Sequence, residues 1–233
     1  MNSPHINHPE RDALVRAYLG LLLMVVIWGA NFSVAKVALD TVPPLAFNAL
    51  RFPFAALAVF IALRVRGPIP RPAPQDVSRI LVLGLLGNVL YQQFFIFGLN
   101  STNAGIASVL LAGTPILTAL VSAALGHERV RPRAWIGVAA TFAGILLVVR
   151  QNGAMTGGHD GTLTGGLLMV GASIAWAAYT VGARPLLARY GATAVTAWTL
   201  WTGTAVLVAI GLPQVLALPA GTLTPPIWGA VLY

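Results

Sequence analysis

Cysteine is absent from the chain, which excludes disulfide frameworks, thiolate metal sites and a cysteine nucleophile while leaving the redox compartment open. Charge is scarce as well: Asp, Glu, Lys and Arg make up 9% of the 233 residues, and only six of those side chains are acids. The histidines, His5, His8, His127 and His159, fall in tails or loops without metal-ligand spacing. No Gly-Lys-Ser/Thr phosphate loop, paired-carboxylate motif or Ser/His/Asp order can be assembled from the remaining residues. Enzymatic chemistry, a bound metal or cofactor, and an ATP-driven motor therefore find no support. Proton coupling ordinarily needs an intramembrane Asp, Glu or His, and the apolar runs contain none. A net charge of +8 would suggest nucleic acid if the cations formed one stripe. They are scattered through loops instead, so nucleic acid is excluded as a partner.

Apolar sequence is what the chain has in abundance. Hydrophobic residues make up 57% of it and the mean hydropathy is +0.80, well outside the range of a soluble domain. The lipid bilayer is the implied partner. About twenty apolar residues cross a hydrocarbon core of about 30 Å, and such runs predict helices over 17–38, 44–65, 79–99, 104–125, 134–150, 165–187 and 192–212. Residues 1–16, with Glu10, Arg11, Asp12 and Arg16, read as a polar tail. Ser33-Val34-Ala35 has the small residues of a signal-peptidase site, but the acids in the leader and the apolar runs that follow favour a retained helix. Pro43-Pro44 ends one turn and starts the second span. Residues 64–79 form an Arg- and Pro-rich connection, Asn100-Ser101-Thr102-Asn103 makes the next turn, and Glu128 falls among arginines in a loop where a salt bridge is expected. A last apolar run begins at Ile227 and the sequence stops at Tyr233.

One short pattern organises the rest. Trp28-Gly-Ala-Asn-Phe-Ser-Val-Ala-Lys36 closes the first span and returns in degenerate form as Trp176-Ala-Ala-Tyr-Thr-Val-Gly-Ala-Arg184. Each copy has a Trp, a hydrogen-bonding side chain three residues on (Asn31, Tyr179) and a terminal cation. Leu86-Gly-Asn-Val-Leu-Tyr91 likewise resembles Trp228-Gly-Ala-Val-Leu-Tyr233. The chain thus divides into a first five-helix unit, 17–150, a Gly-rich linker, 151–164, and a partial second unit, 165–233, that stops within its third helix. Arg11, Arg16, Arg64, Arg66, Arg71, Arg79, Arg129, Arg131, Arg133, Arg184 and Arg189 fall on one face of this arrangement, against Lys36 and Arg150 on the other. The positive-inside rule then places the amino terminus in the cytoplasm. Five helices is an odd number, so the second unit enters from the opposite face. Inverted repeats of this kind are the architecture of many secondary transporters, with the substrate held near the midplane between the units. The expected fold is an all-α polytopic protein of the cytoplasmic membrane, built from inverted repeats of five transmembrane helices with the second truncated in its third helix.

Several local patterns carry a family resemblance: Trp28-Gly29-Ala30-Asn31-Phe32, Arg51-Phe52, the segment Ala104-Gly105-Ile106-Ala107-Ser108 through Pro115, Glu128, and Gly137 with Gly144. Together they resemble the drug/metabolite transporter superfamily in its EamA branch. The resemblance spans one repeat and about half of the second. It implies ten helices in five-plus-five inverted repeats, both termini cytoplasmic, and a central cavity lined mainly by the first four helices of each repeat.

The candidate substrate-binding residues are those whose polarity is out of place in lipid. Arg51 is the charge set well inside an apolar span, and an intramembrane Arg is costly enough to be a site candidate by default; the competing reading has it snorkel outward toward Asp40. Asn88, Tyr91, Gln92 and Phe95 share a helical face, with Gln93 beside it, as lining of a hydrated cavity or as interhelical glue. Trp28 and Asn31 share a face with Phe32, and Trp176, Tyr179 and Thr180 repeat that spacing; they form an aromatic wall or simple packing. Thr196, Trp198, Thr199 and Trp201 are weaker candidates. Ala104, Ser108 and Ala112 form a small-residue ladder read as a seat for a neighbouring helix, and Pro115 is expected to bend its helix.

The reading these residues support is a secondary transporter that exports or exchanges a small organic, drug-like or metabolite substrate by rocking one repeat against the other. The alternative is a non-transporting membrane protein, either a truncated remnant or an accessory subunit packed against a partner chain. A homo-oligomer or a completing chain stays open as a partner.

Overall fold

The computed structural model describes residues 8–67, 69–126, 135–137, 139–140, 143–144, 147 and 161–233. The delimited helices are α1 (His8–Leu39), α2 (Pro44–Arg66), α3 (Pro74–Ser101), α4 (Ala104–Ala124), α5 (Gly161–Tyr190), α6 (Ala192–Leu216) and the short α7 (Pro225–Leu232). No strand occurs among the described residues. The predicted span 134–150, most of the linker 151–164, and Glu128 and Arg150 lie largely or wholly outside them.

Local chemistry sets the helix ends. Pro44, Pro74 and Pro225 occupy first helical positions, where a missing N–H costs nothing and φ is already helical. Asn103 caps α4 by accepting from the Ile106 N–H at 2.8 Å. Three helices begin earlier than the hydropathy pattern predicts, among them α5 at Gly161. The α1 helix starts at His8, and α3 starts at Pro74 with Asp76 in its first turn. Within α3 the segment Leu85–Leu90 is a π-turn.

From α1 to α6 each helix is long and apolar enough to cross a membrane. Their outer faces are apolar too: Leu22, Val25, Leu57, Ile61, Val82 and Leu167 are all more than half exposed. In water such a surface would drive aggregation. In lipid it is the favourable arrangement, because every helix satisfies its own backbone hydrogen bonds. The chain is a multi-pass membrane protein.

The helices pair antiparallel. Leu45 and Ala49 of α2 meet Gly211 of α6 at one end, and farther along the Trp201 indole N–H donates to the Ala56 carbonyl at 3.1 Å. The α3 backbone at Gly98 meets the α5 backbone at Gly165, while at the opposite end Asp76 meets Tyr190. The α1 helix meets α7, where the Tyr233 hydroxyl donates to the Ile27 carbonyl at 2.8 Å. If α5, α6 and α7 are the counterparts of α1, α2 and α3, these are the contacts that a two-fold axis in the membrane plane produces: second with second, third with first, first with third. Lys36 ties α1 to α3, its ammonium donating to the Leu99 and Asn100 carbonyls at 3.0 Å and so satisfying the end of that helix.

Close approach at the α2–α6 crossing depends on Gly211, because a Cβ there would overlap the Leu45 carbonyl and the Ala49 methyl. Gly211→Ala is expected to destabilise the detergent-solubilised protein by about 1–3 kcal/mol, the usual range for overpacking. Gly20→Ala, which meets nothing within 4 Å, is expected to be neutral or slightly stabilising in the same thermal melts.

Two packed clusters close the bundle at its ends. Phe32, Phe47, Ile96, Leu99, Leu110 and Met169 belong to the cluster at the Lys36 end. Ile80, Leu83, Leu186, Val195 and Trp198 form the one at the Asp76 end. Between them α3 stays packed on α6 where Gly84 meets Thr202 and Gly203 meets Asn88, while a space opens among α1, α2, α3, α4 and α5.

Candidate functional site

The gap between the clusters holds two adjoining cavities of about 300 Å³ and about 400 Å³. They share Trp28, Phe32, Tyr91, Leu111 and Trp176 as lining, so they form two lobes of one space. The first lobe carries the polar groups Asn31, Arg51, Asn88 and Gln92. The second is lined by the small residues and hydroxyls of α4 and α5: Ser108, Ala112, Thr114, Thr118 and Thr180.

Arg51 sits two turns into α2, and its Nη2 donates to Asn31 Oδ1 at 2.7 Å. Its guanidinium also lies 5.9 Å from the centre of the Phe47 ring, within cation–π reach. It does not snorkel to Asp40, and it makes no ion pair among the described residues. Asn31, on α1, presents the acceptor that turns the guanidinium inward. A charge at membrane depth is retained only where protein groups or a water-filled cavity receive it.

The aromatic wall is continuous. Tyr91 and Trp176 rings stand 5.0 Å apart, Trp176 and Tyr179 5.2 Å, Tyr91 and Phe95 6.0 Å, and Phe32 and Phe95 5.6 Å. Of the eight residues singled out in the sequence, Trp28, Asn31, Arg51, Asn88, Tyr91, Gln92 and Trp176 line the first lobe. Tyr179 does not. It stands behind Trp176 with its ring against the backbone of Gly87, where a Cβ would collide with it, and its hydroxyl lies 3.3 Å from the Thr199 hydroxyl.

Gln92 has two faces. It borders the cavity yet is buried, and its amide is 3.5 Å from Asn48 Oδ1. Asn48 is 0% exposed and its Nδ2 has no partner among the described residues. Gln92→Leu would leave Asn48 entirely unpaired in an apolar interface, a cost of about 1–3 kcal/mol. The expected result is a lowered melting temperature, largely restored by the double replacement Asn48→Leu/Gln92→Leu; no restoration would show that the pair is not the coupled unit.

Some features escape a periodicity reading. The π-turn at Leu85–Leu90 holds Asn88 and ends at Tyr91, advancing the face of α3 there; such insertions recur at functional sites, and Gly84 before it and Gly87 within it are its trace in the sequence. Ser108 and Ala112, read as a helix seat, line the second lobe instead, while Ile106, Ala107 and Leu110 take the buried face of α4. The α4 helix is interrupted at Gly113, ahead of Pro115. Thr114 there lies 2.6 Å from the Leu111 carbonyl and 2.9 Å from the Ser173 hydroxyl, which joins the break to α5. The α6 residues Trp198, Thr199 and Trp201 pack against neighbouring helices and stand off the cavity.

Known proteins are similar to this chain in sequence and in architecture. Residues 15–150 match the model of the EamA-like transporter family. A probable terminal-alkyne amino-acid exporter from Streptantibioticus cattleyicolor is 30% identical over 92% of this chain and 69% of its own length. A probable amino-acid metabolite efflux pump from Escherichia coli is 30% identical over 78% of this chain and 58% of its own. A crystal structure superposes with a TM-score of 0.59 at 27% identity, covering 88% of this chain and 69% of the other. The apolar helices, their antiparallel pairing and these matches agree: the chain belongs to the EamA-like transporter family.

Proposed function

We propose that this chain forms the substrate-binding part of a secondary transporter that exports or exchanges a small organic metabolite by alternating access. The observation that carries the reading is the paired Arg51 and Asn31 in an aromatic-lined space between two end clusters, within helices long enough to cross a membrane. A concave, largely apolar space with a few convergent polar groups is what a small-molecule site requires. Its position between antiparallel helix sets suits a mechanism in which one set, within residues 17–150, rocks against the other, within 165–233, around a fixed site. The distribution of arginines supports a cytoplasmic amino terminus in the cell membrane. Trp28, Asn31, Arg51, Asn88, Tyr91, Gln92 and Trp176 are the proposed contacts, with Tyr179 holding Trp176 from behind. Two relatives carry amino-acid cargo in their names, so amino acids and their derivatives are the first substrates to try.

Purified protein in liposomes preloaded with single amino acids and amino-acid derivatives tests this by counterflow of the labelled compound. Accumulation above protein-free liposomes for at least one compound is expected. No accumulation of any compound by protein whose folding is verified by a thermal melt would favour the non-transporting reading.

A further inference from the structure

Resting on the transporter reading, we infer that the first lobe recognises its substrate through a carboxylate bound by Arg51 and Asn31, and that a substrate amino group is dispensable.

The guanidinium has five N–H groups, and among the described residues one hydrogen bond is made, Nη2 to Asn31 Oδ1. That bond also orients Asn31: with Oδ1 taken by Arg51, its NH₂ is left as a second donor beside the cation. The lobe thus offers several donors around one positive charge. Among the described residues no Asp or Glu lines either lobe, so none of them supplies the charge with a counterion. A half-buried cation held by a neutral amide and an aromatic ring is under-compensated, and an anion that enters the lobe completes it. Planar carboxylates match the guanidinium fork in two parallel bonds. The same lining decides the other half of the inference, because an ammonium group entering the lobe finds no carboxylate among the described residues to pair with. The rest of the ligand meets Trp28, Tyr91 and Trp176 and extends toward the second lobe, where the Ser108, Thr114, Thr118 and Thr180 hydroxyls already donate to carbonyls of their own helices. The ligand class is therefore an organic acid with one carboxylate and an apolar or aromatic body.

Binding to the purified protein is measured by titration calorimetry with three probes of one size: 3-phenylpropionate, its primary amide, and phenylalanine. The expected order is 3-phenylpropionate at least as tight as phenylalanine, and both at least tenfold tighter than the amide. In Arg51→Gln the two acids are expected to weaken by at least tenfold while the amide is unchanged, and Arg51→Lys to recover part of the loss. Equal affinity of the acid and the amide for the unsubstituted protein would overturn the inference, and that comparison stands even if Arg51→Gln fails to fold. Binding of phenylalanine alone would overturn its second half. Counterflow on the same preparations separates this from the transporter reading: flux without preference for the carboxylate refutes the inference and keeps the transporter. Arg51-dependent binding of the acid without flux of any compound does the reverse.

Discussion

Trp176→Ala is expected to reduce transport to less than a tenth while leaving the protein inserted and folded. The indole is the wall common to both lobes and the centre of the aromatic chain that joins Tyr91 to Tyr179. Fully burying a large apolar side chain contributes about 1.5–3 kcal/mol, and a ligand packed on the indole recovers a comparable share. At 1.4 kcal/mol per decade this corresponds to roughly ten- to hundredfold in affinity. Trp176→Phe keeps a ring at the same place and is expected to retain most of the activity. The measurement is initial rate against concentration in proteoliposomes, with a thermal melt of each variant. A fall in stability equal to the fall in rate, shared by Trp176→Phe, would assign the residue to packing.

The second large effect is expected at the Asp76 end. Asp76 Oδ2 accepts from the Tyr190 hydroxyl at 2.6 Å and from Arg189 Nη1 at 2.8 Å, while the Tyr190 oxygen accepts from the Ala73 N–H at 3.1 Å. These bonds fasten the beginning of α3 to the end of α5, helices from the two halves of the chain. The Arg189 side chain is 49% exposed and its share is screened by water. The phenol–carboxylate bond is charge-assisted and partly buried, and such bonds contribute about 1.5–3 kcal/mol. Asp76→Asn should therefore shift the balance between closed and open arrangements of this end by about tenfold or more toward open. The absence of cysteine makes this easy to read: a spin-label pair introduced by cysteine replacement near Ala73 and Gly191 reports the distance by pulsed electron resonance. An unchanged distance distribution in Asp76→Asn would show that the contact is no latch.

Much of this organisation could be read from the residues. A charge inside an apolar run stands out because lipid makes it expensive, and Arg51 does lie on the cavity with Asn31. Trp28 and Trp176, singled out by a shared spacing, line the same space. Tyr179 does not join them: the absent Cβ of Gly87 gives its ring a resting place away from the lobe, a packing fact with no local signature. Periodicity assumes 3.6 residues per turn, so it passed over the π-turn that re-aims Asn88 and Tyr91. Asn48 gave no signal because a single amide in an apolar helix looks tolerable until its burial is known. The Asp76–Tyr190 contact joins residues 114 apart, and hydropathy alone assigns Asp76 to the Arg- and Pro-rich connection, whereas α3 begins at Pro74.

The central claim is that the space around Arg51 belongs to a pathway reached alternately from the two faces of the membrane. Leu111→Cys places a single thiol on the wall shared by both lobes, in a chain with no other cysteine. Its rate of labelling by a membrane-impermeant maleimide, measured from each face of sealed, oriented vesicles, tests the claim most directly. Labelling from both faces, slowed from both by a transported compound and biased toward the Asp76 face in the Asp76→Asn background, is the expected result. Labelling from one face alone, unaffected by any transported compound, would contradict the claim.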